Sequence, residues 1–113
     1  GTIIVGITTV DLVKSGLVVD PFGGTSVVPG SVITYTIRAD VTGSGSVDDL
    51  VITDPIPANT TYEVTSLTLD GGALTDAADA DAGEASDATG ISVDLGTVSG
   101  GTSYSITFDV SVD

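Results

Sequence analysis

Chemistry in this chain has to come from carboxylates, because little else is available. The 113 residues contain no His and no Cys, and Lys14 and Arg38 are the only basic side chains. General acid–base catalysis needs His, Lys or a tuned carboxyl, and nucleophilic catalysis needs a Ser, Thr or Cys beside a base. No Ser or Thr here has a His to pair with. Two carboxylates can cleave a glycoside, but three Tyr and two Phe leave few rings to bind a sugar once the core has taken its share. The expectation is a protein that is not an enzyme and has no catalytic residues.

Carboxylates can instead hold a hard cation. Asp76, Asp79, Asp81, Glu84 and Asp87 place five acids within twelve residues. Asp79 and Asp81, followed by Gly83, partly resemble a calcium loop, where oxygen ligands at alternate positions converge as the backbone curls around the ion. The glycine is misplaced, and no helix follows with a bidentate Glu. Two readings stand: a solvated Ala/Asp-rich loop, or a calcium site with Asp79 and Asp81 as ligands and Asp76, Glu84 and Asp87 as further candidates. A divalent cation would relieve the repulsion among these acids. Asp54 either adds an oxygen from a neighbouring loop or caps its own turn. Asn59-Thr60-Thr61 fits the acceptor pattern for N-linked glycosylation; Asn59 also suits a turn, which its side chain can support.

Sixteen acids against two bases give a formal net charge of −14. Such a surface repels phosphate backbones and anionic lipid, so neither nucleic acid nor a membrane surface is an expected partner. No apolar run is long enough to span a bilayer, and no signal peptide is retained. The apolar start is what removal of a signal peptide would leave, which implies an extracellular or cell-surface location.

The elements that must position these residues are strands. Apolar content is 41%, mainly Val, Ile and Leu, and fifteen Gly and four Pro supply turns. Branching at Cβ restricts χ1 and suits a pleated surface. Ile33, Tyr35, Ile37, Ala39 and Val41 share one face of a strand led by Pro29-Gly30 and ended by Gly43-Ser44-Gly45-Ser46. Leu50 to Thr53 reads as a short strand stopped by Asp54-Pro55-Ile56-Pro57, where two prolines force the chain out of the sheet. Thr61 to Leu69 resumes strand character before turning at Asp70-Gly71-Gly72. Ile91, Val93 and Leu95 alternate up to Gly96. Tyr104, Ile106, Phe108, Val110 and Val112 give the clearest inward face. About seven strands at this spacing predict an all-β, immunoglobulin-like antiparallel sandwich with an extra N-terminal strand.

The first residues break the pattern. Ile3, Val5 and Ile7 share one parity, but beyond Thr8-Thr9 the apolar phase moves to Val10 and Leu12. A one-residue slip turns every side chain to the other face. Either the first strand switches sheets within its own domain, or residues 2–9 leave it and add to a neighbour's sheet, with Ile3, Val5 and Ile7 as the donor side chains. The second reading divides the chain into an extension over residues 1–10 and a sandwich over residues 11–113.

Asp11-Leu12-Val13-Lys14-Ser15-Gly16, then Val28-Pro29-Gly30-Ser31-Val32-Ile33-Thr34-Tyr35-Thr36-Ile37, then Val51-Ile52-Thr53-Asp54-Pro55-Ile56-Pro57 and a glycine-bounded last strand resemble the DUF11 repeat module. That family comprises immunoglobulin-like domains of bacterial and archaeal surface proteins, commonly in tandem. The resemblance implies a non-enzymatic extracellular spacer, adhesin or matrix module. The chain departs from the pattern at Asp40-Val41-Thr42-Gly43, where an Asn-x-Gly turn would be usual, and in carrying one module. The expected function is a structural subunit that self-assembles into a pilus-like surface filament by N-terminal strand donation, with itself as partner and calcium as stabiliser. The alternative is a single spacer or ligand-binding repeat of a larger cell-surface adhesin.

Overall fold

The structure is a computed structural model, and it describes residues 8–74 and 83–113. Among the described residues there are nine strands and no helix: β1 (Thr8–Val19), β2 (Val32–Gly43), β3 (Ser46–Asp54), β4 (Thr60–Tyr62), β5 (Thr68–Leu69), β6 (Gly72–Ala73), β7 (Gly83–Ser86), β8 (Gly90–Ser99) and β9 (Thr102–Val112). They form two antiparallel sheets. The larger runs β1-β2-β9-β5-β6, with β4 also paired to β9, and the smaller runs β3-β8-β7. This is the expected all-β, immunoglobulin-like sandwich.

Alternation builds the core. Ile33, Ile37 and Ala39 of β2 and Ile106, Phe108 and Val110 of β9 are buried against Ile52, Ala85, Ile91 and Val93 of the smaller sheet. Tyr35 and Phe108 stack at a tilt, with ring centroids 5.5 Å apart. The small β-branched side chains leave room for few aromatics, and Phe108 is the largest fully buried one.

Four segments differ from their sequence reading. β3 starts at Ser46 rather than Leu50, because its register against β8 shifts between Val47 and Val51 and hides the alternation. Asp49, with φ of 54°, sits inside that bulge. β8 runs on past Gly96 to Ser99 for the same reason, since Leu50 of the bulged strand faces Gly96. Thr61 to Leu69 is two short strands, not one. Both pair with β9, but the chain turns out between them, with Thr65 at φ 65° and a Ser66 N–H to Glu63 O bond closing the turn. The first strand differs too. Thr8, Thr9 and Val10, assigned above to the extension, pair with Gly43, Thr42 and Val41 of β2 in an unbroken twelve-residue register.

Two structural devices fix the ends of the sandwich. Asp20, which is 9% exposed, organises the loop between β1 and β2. Its Oδ1 accepts from the Phe22 and Gly24 amides at 2.8 Å each, and its Oδ2 accepts from Ser26 at 3.1 Å. The Gly24 and Ser26 bonds, then that from Phe22, hold the carboxyl below its ordinary 3.8 against the opposing effect of burial. Gly90, at φ 79°, brings its backbone against the Asp54-Pro55 element; a Cβ there would lie 2.2 Å from Asp54 O.

A folded-state pKa below the unfolded one contributes stability above the unfolded value and loses it as pH falls through the folded value. Asp20→Ala should therefore lower stability at pH 7, with the deficit closing as the pH falls below 3.8. Urea unfolding across that range checks it. Gly90→Ala should cost about 2–4 kcal/mol, from a left-handed backbone combined with a clash. Gly23→Ala, at φ 85° with nothing within 4 Å, should cost only the backbone share, about 1–2 kcal/mol, in the same measurement.

Candidate functional site

The strand register defines two poles. At one, Thr8 faces Gly43, its Oγ1 accepts from the Gly45 amide at 3.1 Å, and the Gly100 amide reaches Gly45 O at 2.9 Å. Residues 1–7 attach to the domain here. At the other, Val19 faces Val32, and β9 ends beside them, with Val112 N–H to Ser31 O at 2.8 Å and Gly30 N–H to Val112 O at 2.9 Å. Twelve residues of strand separate the poles by about 36 Å. The chain thus arrives at one pole and leaves at the other.

β1 spans that distance with little cover. Its register places Val10, Leu12, Lys14, Gly16 and Val18 opposite the inward residues of β2. Leu12 is nevertheless 55% exposed, although Ala39 opposite it is fully buried. The three-stranded sheet therefore does not reach over this part of β1. On the outward face Val13, Leu17 and Val19 are 59%, 65% and 54% exposed. A strand apolar at both parities is normally buried on both faces; among the described residues β1 is an edge strand whose inward Val10 and Val18 pack against the core while Leu12 to Leu17 are exposed.

Lys14 anchors this edge to the other sheet. Its Nζ lies 2.6 Å from Asp54 Oδ2 at the end of β3 and 4.3 Å from the centre of the Tyr35 ring. Asp54 Oδ2 is buried, so Lys14 supplies the compensating charge. The carboxylate read as a calcium ligand or turn cap is therefore one half of an inter-sheet ion pair. The chain's other base, Arg38, donates through Nε to Asp40 Oδ1 at 3.0 Å, and Ser103 Oγ donates to the same oxygen at 2.7 Å. The Ser103 bond and then Arg38 lower the Asp40 pKa. Both cations sit on β1 and β2.

The remaining sequence-derived sites divide. Ile3, Val5 and Ile7, and Asp76, Asp79 and Asp81, lie outside the described residues. Glu84 is exposed on β7 beside an open hollow of about 230 Å³ lined by Ala85, Ser86 and Thr89. Asp87 accepts the Tyr62 amide at 3.0 Å, tying the turn after β7 to β4. Among the described residues no three acids gather into a metal-holding group. Asn59 is exposed with φ 64°, a conformation Asn tolerates, and its carbonyl accepts from Asp113 N–H at 3.0 Å. Its turn is closed by Thr60, whose Oγ1 donates to Pro57 O at 2.6 Å.

A scan against protein-family models matches no family, and searches among curated proteins and among solved structures return no match. The DUF11 resemblance thus rests on the sequence elements quoted above. No helix among the described residues is long and apolar enough to cross a membrane.

Lys14→Met should destabilise the fold by about 1–2 kcal/mol, because it strands a mostly buried carboxylate while one partner of the pair stays half in solvent. Lys14→Met combined with Asp54→Asn should recover part of that loss. A double-mutant cycle by denaturant unfolding reads both.

Proposed function

We propose that this chain is an extracellular structural subunit that polymerises end to end, each copy donating its apolar N-terminal segment to the next. The observation that carries this reading is the separation of the poles. Residues 1–7 attach where β2 ends at Gly43, and β9 ends at the opposite pole beside Val32. Copies stacked pole to pole place each N-terminal segment at its neighbour. The segment Thr2-Ile3-Ile4-Val5-Gly6-Ile7 is uncharged, so its docking adds no repulsion between subunits of net charge −14. A head-to-tail contact of this kind propagates when it does not close into a ring.

A second reading rests on the same geometry. Arrival and departure at opposite poles also suit a spacer repeat covalently strung within a larger surface adhesin.

Negative-stain imaging separates the two. The full chain should form filaments, and a chain lacking residues 1–7 should remain monomeric with an unchanged far-UV spectrum. The deletion stops at residue 7 because Thr8 and Thr9 belong to β1. Filaments that survive the deletion would sink strand donation; a full chain monomeric at every concentration would favour the spacer.

A further inference from the structure

Strand donation needs an acceptor, and the edges of the two sheets are not equivalent. Among the described residues, five strands have a free edge: β1, β4, β6, β3 and β7, of which β4 has three residues. β6 has two residues and β7 four. β3 is bulged between Val47 and Val51, with Asp48 and Asp49 in the irregular stretch. Short length, bulges and charge are the usual protections against edge-to-edge pairing. β1 is neither short nor bulged: it is twelve residues long, has no proline, and holds one register throughout. Of its two charges, Asp11 lies near the Thr8 pole, outside the stretch from Val13 to Val19. Its single inward charge, Lys14, is neutralised by Asp54.

The hydrogen-bond parity of that edge follows from the strands behind it. The Gly101 amide bonds to Val41 O and the Val112 amide to Ser31 O, so odd residues of β2 direct their peptide groups toward β9. Even residues of β2 therefore bond to β1, and their partners in β1 are the odd residues. The N–H and C=O groups of Val10, Leu12, Lys14, Gly16 and Val18 consequently point along the free edge.

We propose that this edge of β1 is the acceptor, and that its occupant is residues 2–7 of a second copy, paired in parallel. The proposal rests on the strand-donation reading above and specifies where and in which direction the strand adds. Copies stacked in one orientation bring the donor to the Val19 pole of its neighbour with residue 2 leading. The donor then runs in the same sense as β1. Six residues reach about 20 Å, so they cover the edge from Val19 back to the neighbourhood of Val13. That stretch holds the outward apolar residues Val13, Leu17 and Val19. Donor residues of one parity, including Ile4, lie beside them, and those of the other parity, Ile3, Val5 and Ile7, continue the inward face. The strand receiving this uncharged segment also carries one of the two cations of the chain, and the next strand carries the other.

Amide hydrogen exchange on the full-length chain tests it without any substitution. In the dilute monomer, odd-numbered amides of β1 should exchange slowly and even-numbered ones fast. In the polymer, Lys14, Gly16 and Val18 should become protected. Fast exchange at all three in a polymer that residues 1–7 are needed to form overturns the β1 assignment and leaves strand donation standing. A polymer that forms without residues 1–7 overturns both. Leu17→Ser with Val19→Ser, two exposed positions on the proposed contact, should raise the concentration needed for assembly about tenfold or more. An unchanged threshold in a folded double variant also overturns the assignment.

Discussion

Strand β9 bonds to β2 along one edge and to β4 and β5 along the other, and the rest of the larger sheet takes its register from it. Ile106, Phe108 and Val110 are fully buried on its inward face. A slip of one residue would turn all three to solvent, so burial holds the register of β9 firmly. β2 inherits that register through ten paired positions, and β1 inherits it from β2 through twelve. Which peptide groups of β1 face outward is thus decided by packing two strands away. An edge that is itself weakly covered nevertheless presents a fixed pattern of donors and acceptors.

Charge acts on that pattern from outside. A net charge of −14 keeps copies apart by repulsion, which opposes adventitious association. Neither base is spread over the surface to offset it. Lys14 bridges the sheets and Arg38 pairs with Asp40. Under such repulsion, a contact between copies gains most from backbone hydrogen bonds and apolar side chains brought in by a segment without charge.

The sequence reveals the strands whose side chains alternate cleanly, because alternation is the direct imprint of a buried face. β2 and β9 are legible from Ile33 to Val41 and from Tyr104 to Val112, and the end of β3 is legible from Asp54-Pro55. Irregular backbone is not. The bulge at Asp49 breaks the period, so β3 looks shorter than it is, and the turn at Thr65 lies inside an apolar-polar run that reads as continuous strand. The Lys14–Asp54 pair was hidden for another reason: forty residues separate its members, and only the stacking of one sheet on the other brings them together. β1 was partly legible. Its mixed parity signalled a phase problem, but the sequence has no feature that separates a strand buried on both faces from one exposed on both.

The exposure of β1 is costly in an isolated subunit. Leu12, Val13, Leu17 and Val19 are all more than half exposed along one edge strand, and among the described residues no strand bonds to the edge beside them. Ordinary edge protection would shorten such a strand, kink it or leave a charge facing inward. Here the inward charge is present but cancelled, since Asp54 holds Lys14 Nζ at 2.6 Å and Tyr35 lies beneath it. That arrangement fixes β1 to the second sheet while its outer edge stays unpaired among the described residues. Rigidity matters for an acceptor, because a strand already held in register gives up little conformational freedom when another adds to it. In the proposed assembly, the ion pair that stabilises the monomer would also hold the edge in place for the next copy.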